Sequence, residues 1–238
     1  MNKFLYSLFV LLMPFLGIAQ ETMQDPLAEK RTVPAFHGIE AATGIHVYLT
    51  QGNTDEVAVS ALTVEYRDKI VTKVENGILK IYYDNKLGAI SRKKEGRNLK
   101  AWVSCRTPDK LVVNTGAQVD FVSRLKGTGL VMQVNTGAMV KGEVDIESLQ
   151  VKVNTGSQVL LTGKAGKLDV NGDTGSKFKG EDLVAEECHI EVSTGASITV
   201  NAGKELEVKA NTGGTVRYKG AAALKEIKTN TGGSVSRI

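Results

Sequence analysis

Asn114-Thr115-Gly116-Ala117 returns as Asn135-Thr136-Gly137-Ala138 and as Asn154-Thr155-Gly156-Ser157. Variants follow at Asp173-Thr174-Gly175-Ser176 and Ser193-Thr194-Gly195-Ala196, then Asn211-Thr212-Gly213-Gly214 and Asn230-Thr231-Gly232-Gly233. The glycines stand 21, 19, 19, 20, 18 and 19 residues apart. A fixed period in this range is the mark of a solenoid. One such unit cannot bury its own apolar face, so successive units must stack.

The columns around the glycines give each unit its form. Three residues before stand Val113, Val134, Val153, Gly172, Val192, Ala210 and Thr229; five before stand Leu111, Met132, Val151, Val170, Ile190, Val208 and Ile227. Seven before stand Asp109, Leu130, Leu149, Leu168, Cys188, Leu206 and Lys225; three after stand Val119, Val140, Val159, Phe178, Ile198, Val216 and Val235. Apolar and polar positions alternate on both sides of the turn, which means strands with one buried face. The fold class is all-β: a β-solenoid of about seven coils of roughly 19 residues, each strand, Thr-Gly turn, strand and second turn. Stacked at about 4.8 Å, the coils make a rod of roughly 29 Å. Gly is expected to supply the positive φ of the corner, and the preceding Asn or Asp to tolerate left-handed geometry. Stacked Asn side chains are expected to form an amide ladder.

Residues 1–19 read as a signal peptide. Lys3 opens it, Phe4 to Phe15 is almost wholly apolar, and Gly17 and Ala19 set up a cut after Ala19. The run is too short, and broken by Pro14, for a membrane span. Residues 20–35 read as an exposed linker, 36–107 as an N-terminal β-rich cap, and 108–238 as the solenoid repeats. Within the cap, Asn76-Gly77 is a strong hairpin signal, and Val64 to Ile70 suits one helical turn. Solenoids need such a cap because an open end exposes strand edges. At the far end Lys225, Thr229 and Arg237 replace apolar residues, which blunts the edge; homo-oligomerisation through that end is the rival reading.

Little here points to catalysis. Asp173-Thr174-Gly175 spells the aspartic-protease signature, yet that mechanism needs two aspartates sharing a proton, and the motif occupies the same corner as six relatives. His37, His46 and His189 show no metal-ligand spacing. Cys105 and Cys188 are expected to be free, because four coils, about 19 Å, separate them. No catalytic, cofactor-binding or metal residue is assigned, and the ligand-binding residues are not fixed by the sequence. The outward neighbours Gln150, Lys152, Asp169, Asn171, Glu191, Glu207 and Lys209 are chemically mixed. Lys86, Arg92, Lys93, Lys94 and Arg97 make a basic connection that reads as a solvated loop, with lipopolysaccharide phosphates or acidic glycans as the alternative partners. Loss of residues 1–19 leaves 29 basic against 26 acidic residues, too mild a balance for nucleic acid. At 5% aromatic residues, a deep sugar cleft is disfavoured.

Phe36-His37-Gly38-Ile39, Gly44-Ile45-His46-Val47, the Gln51-Gly52 turn and the serial Thr-Gly-Ala/Ser corners resemble the auto-transporter adhesin, head GIN domain family. The resemblance runs from about Phe36 to near the C-terminus. It implies a right-handed parallel β-helix similar to pectate lyases, a Gram-negative host and a role in cell adhesion, with no catalytic residues to carry over. Together these readings predict an exported, non-enzymatic binding protein of the periplasm or cell surface, contacting a surface glycan or protein. The alternatives are a degenerate polysaccharide-active enzyme and an envelope scaffold or stress component without external ligand.

Overall fold

The computed structural model describes residues 25–85 and 96–238. The signal-peptide reading, and Lys86, Arg92, Lys93 and Lys94 of the basic connection, lie outside the described residues. The N-terminal part holds β1 (Glu29–Arg31), β2 (Gly38–Ala41), β3 (His46–Gln51), β4 (Glu56–Ser60), α1 (Val64–Asp68), β5 (Ile70–Glu75), β6 (Ile78–Tyr83) and β7 (Lys100–Cys105). β8 (Lys110–Val113) and β9 (Gln118–Phe121) flank the first of the seven repeated corners. Five long strands then run from corner to corner: β10 (Leu125–Val134), β11 (Met139–Val153), β12 (Gln158–Gly172), β13 (Lys177–Val192) and β14 (Ser197–Ala210). β15 (Thr215–Lys219), β16 (Ala223–Thr229) and β17 (Ser234–Arg237) complete the stack.

The columns read from the sequence are files in space. Val134 lies opposite Val113 and Val153, Val153 opposite Gly172, and Val192 opposite Gly172 and Ala210, all in parallel ladders. Val134, Val153 and Val192 are 0, 0 and 2% exposed, so the file points inward. Cys188 is buried between Leu168 and Leu206 in the leucine file, and burial pushes its thiol up to about 12. Cys105 sits in β7, also free and buried. The molecule is thus a β-solenoid whose interior is one continuous apolar column.

Each coil has three sides, one more than the expected pair of strands. In β11 the inward residues are Val140, then Val144 and Ile146, then Leu149, Val151 and Val153. The step of three from Ile146 to Leu149 breaks the alternation and marks a bend; Ala165 to Leu168 and Ala185 to Cys188 repeat it. We call the side before each Thr-Gly corner the first face, the side after it the second, and the short remaining side the third.

Departures from the columns compensate one another. Gly172 interrupts the valine file, and a Cβ there would lie 3.0 Å from Ile198 Cδ1. The same coil carries Phe178, fully buried, where its neighbours carry valine or isoleucine. A large and a small residue therefore share one layer, which keeps the volume matched.

Three expectations are corrected. First, the parallel stack continues into the cap region. β2 and β3 flank an eighth corner, Thr43-Gly44, and lie on β8 and β9; β6 and β7 lie on β2 and β3 in turn. Among the described strands, antiparallel pairing is confined to β1 on β4, β4 on β7 and β5 on β6, which close that end. Second, Glu29–Arg31 of the expected linker is an edge strand on β4, held also by Arg67 to Glu29 at 2.9 Å. Third, a register shift after Leu206 places Leu224, not Lys225, opposite it; Lys225 turns out to Glu205 at 3.1 Å. The hairpin and the helical turn form where expected. Asn76 and Gly77 have φ of 51° and 74°, and Thr63 caps α1 by accepting from Tyr66 N–H.

The corner geometry differs from the expectation in an informative way. The residue beside Gly in the left-handed region is Thr, with φ between 46° and 63° at all eight corners, and not the preceding Asn. The seven repeated turns are each closed by a bond such as Ala117 N–H to Asn114 O, 3.1 Å. Coils are also tied through the corners: Gly116 N–H donates to Thr136 O, Gly137 to Thr155 O, and so on to Gly213 and Thr231. A β-branched residue at positive φ is strained by about 1–2 kcal/mol, and Asn tolerates the region far better. Thr155→Asn is therefore expected to raise stability by about 1 kcal/mol, read as a shift in urea midpoint at unchanged slope. A lower midpoint would show that the Thr side chain holds the corner.

Candidate functional site

The amide ladder forms only in part. Asn135 Nδ2 donates to Asn114 Oδ1 at 3.0 Å, and Ser193 Oγ to Asp173 Oδ1 at 2.9 Å. Asp173 also accepts from Thr174 N–H at 2.7 Å. Hydroxyls of Thr194 and Ser193, with that N–H, hold its carboxyl below the usual range. Asp173 is therefore an ionised corner residue and makes no shared-proton pair. Below the corners, Ser157 Oγ and Ser176 Oγ are buried and donate to Val134 O and Val153 O of the preceding coil, at 2.7 and 2.8 Å.

On the first face, outward side chains from several coils meet. Lys209 Nζ lies 3.2 Å from Glu191 Oε1 and 3.7 Å from Glu207 Oε1, and Asn171 Nδ2 donates to Glu191 at 3.3 Å. His189 stands between Glu207 at 3.3 Å and Glu191 at 3.6 Å. A shallow cavity of about 160 Å³ opens beside them, lined by Asn171, Glu191, Ser193, Lys209 and Asn211. The stack thus brings Asn171, Glu191, Glu207 and Lys209 of the sequence-derived set together. Lys209 engages both carboxylates, which makes a polar, hydrogen-bonding notch. Among the described residues no group of three or more His, Cys, Asp or Glu is placed to hold a metal.

The second face carries a feature that spacing alone did not reveal. Tyr48 of β3 lies opposite Trp102 of β7 and Asp120 of β9. The Tyr48 ring stacks on Trp102 at 5.9 Å and 18°, and on His46 at 4.3 Å and 28°. His46 Nε2 is 2.8 Å from Asp120 Oδ2, which Lys141 approaches at 3.2 Å; Gln118 donates to Asp120 Oδ1 at 3.0 Å. Burial pushes the Asp120 carboxyl up, but the bonds from Gln118, His46 and Lys141 outweigh it and keep the group below its usual range. The three rings come from segments 46–48 and 102, far apart in sequence. Only the parallel pairing of β7 on β3, outside the Thr-Gly repeat, brings them together. Each ring stands on a regular strand over the buried file of Val47, Ala101 and Val119, so the stripe is rigid. The rings lean on one another, leaving half-buried edges to solvent.

Arg97, the described part of the basic connection, lies 4.5 Å from the centre of the Tyr83 ring. His37 pairs with Asp109 at 2.7 Å at the cap boundary. Among the described residues no helix is long and apolar enough to cross a membrane.

A "putative adhesin" from Bacteroides fragilis superposes with a TM-score of 0.76 at 18% identity, covering 89% of this chain and 96% of that one. A second from Parabacteroides merdae gives 0.69 at 14%, covering 89% and 95%. A "putative lipid binding protein" from Parabacteroides distasonis gives 0.65 at 16%, covering 89% and 96%. At these identities the likeness shows the fold. No curated protein matches the chain. Residues 35–222 match the family model described as "Putative auto-transporter adhesin, head GIN domain", and the chain belongs to that family.

Proposed function

We propose that this chain is an exported, non-enzymatic adhesion protein that binds a surface glycan or protein through the outward faces of its solenoid. The stacked stripe of His46, Tyr48 and Trp102 carries the reading: half-buried aromatic groups fixed on a rigid face are what contact hot spots are made of. Export is supported by Lys3 and the apolar run after it, and by family membership. The absence of a catalytic role is supported by the first-face notch, whose carboxylates are already engaged by Lys209, Asn171 and His189.

Glycan-array and immobilised-protein binding by the full chain tests it. Trp102→Ala is expected to weaken the selected interaction by about tenfold or more, with unchanged circular dichroism. Reproducible cleavage of a polysaccharide, abolished by Glu191→Gln, would move the protein to the enzyme reading. A chain that binds no surface component would favour the scaffold reading. Self-association through the last rung is a second element of the proposal. It is supported by Leu224, Ile227 and Ile238, which are 49, 40 and 59% exposed there, and light scattering reads it as mass.

A further inference from the structure

We infer that the second face carries a linear track for an anionic polysaccharide with an acid on every second sugar, running along the rod from Lys141 through Lys179 to Arg217. The inference rests on the proposed binding role and names the ligand class and the residues. The outward residues of successive coils on this line are Lys141, Leu160, Lys179, Thr199 and Arg217, each opposite the next in register. A cation therefore recurs on alternate coils, about 10 Å apart at the spacing of paired strands. Between the cations stand an exposed leucine and a threonine, an apolar and a hydroxyl contact suited to the uncharged sugar between two acids. Lys177 flanks Lys179 on the same strand and the same side.

Three of these four cations lack partners, and no acid lies between them along the line. Lys177, Lys179 and Arg217 are exposed and make no ion pair among the described residues. Lys141 shares Asp120 with His46. On the other faces Lys204 pairs with Glu186, Lys209 with Glu191, Lys225 with Glu205 and Lys228 with Glu226. Lys152, Lys164 and Lys167 make no ion pair among the described residues, but Lys164 lies opposite Asp145 and Lys167 opposite Glu187 in the ladder. The third face is edged instead with exposed acids, among them Asp145, Glu147, Glu181, Glu186 and Glu187. The line from Lys141 to Arg217 thus carries cations with no acid between them, whereas the third face interleaves its acids with Lys164, Lys167 and Lys204, so a polyanion is drawn to the former. The spacing of the cations is close to the screening length at physiological salt, so their fields merge into a continuous strip only at lower ionic strength. A flexible chain with matching periodicity gains from each cation in turn, without a deep cleft.

Hyaluronan, with an acid on alternate sugars, and polygalacturonate, with one on each sugar, are the probes, measured against the full chain at low and at physiological salt. Hyaluronan is expected to bind at least as tightly as polygalacturonate despite its lower charge density, and more weakly as salt rises. The triple variant Lys177→Ala, Lys179→Ala, Arg217→Ala should lose about tenfold or more in hyaluronan affinity. The charge-matched variant Lys152→Ala, Lys164→Ala, Lys167→Ala, on the other faces, should stay within about twofold. Equal losses in the two triples, or affinity that simply follows charge density, would overturn the track. So would binding to phosphatidylglycerol vesicles but not to hyaluronan, which would make the strip a lipid contact. If neither polyanion binds while a neutral glycan or a protein does, the track fails and the adhesion role stands. A chain that binds none of them loses both.

Discussion

Ile190→Asp is expected to leave no cooperatively folded protein at room temperature. Ile190 is fully buried and lies between Val170 and Val208, both equally buried, in the middle of the inward file. The substitution removes about 2–3 kcal/mol of apolar burial. It also places a carboxyl where the surrounding file offers no polar partner, at a further cost of several kcal/mol even if the group takes up a proton. The sum is comparable with the whole stability of a typical domain, about 5–15 kcal/mol. Because each coil contacts only its neighbours, the lesion should first release the coils that follow it, β14 to β17. Loss of the far-ultraviolet strand signal, with proteolysis beginning after Val192, is the expected result. Ile190→Val, by contrast, should cost about 1 kcal/mol. A melting temperature within a few degrees of the parent for Ile190→Asp would refute the stacked interior.

Gly163→Ala should destabilise by more than about 3 kcal/mol, although it adds only a methyl group. Gly163 has φ of 105° at the bend between the second and third faces. A Cβ there would lie 2.1 Å from Val144 O, the carbonyl directly opposite in the preceding coil. That neighbour is backbone inside a parallel ladder and cannot turn away as a side chain would. Gly156→Ala is the control. Its φ is 69°, but nothing stands within 4 Å of the added carbon, so only conformational strain of about 1–2 kcal/mol remains. The two variants should therefore separate clearly in urea midpoint. Equal losses would mean that the bend relaxes and that the close approach of the coils is not rigidly held.

The repeat was legible because every coil solves the same burial problem with the same residue types. The valine, leucine and isoleucine files, the free Cys188 and the all-β class follow from a 19-residue period and a two-residue alternation. The third side was hidden because its bends carry no residue type at a constant place: Gly166 stands at the bend of one coil, while the matching Ile146-Glu147-Ser148-Leu149 contains no Gly or Pro. Thr43-Gly44 was set apart from its relatives because the hairpin and β7 intervene before the next corner, so the period is broken in sequence while it is kept in space. The left-handed threonines were missed because turn chemistry points to Asn-Gly, and these corners place Thr before Gly instead. At the candidate site, the first-face residues were visible as outward neighbours of the files. The aromatic stripe was not, since no spacing rule connects Tyr48 with Trp102 before the pairing of β3 and β7 is known.

The bonds that run from each corner glycine to the threonine carbonyl of the next coil bear on how such a chain can grow or shrink. Removing residues 137–155 would join Thr136 to Gly156 and leave both the turn and the phase of every file intact. A gain or loss of one residue inside a strand would throw the side chains that follow it onto the wrong side as far as the next bend. There, coils of 18 to 21 residues already absorb their differences. Reach along the rod is thereby open to change in single coils, so relatives should differ in it by increments of about 4.8 Å while keeping the same cross-section.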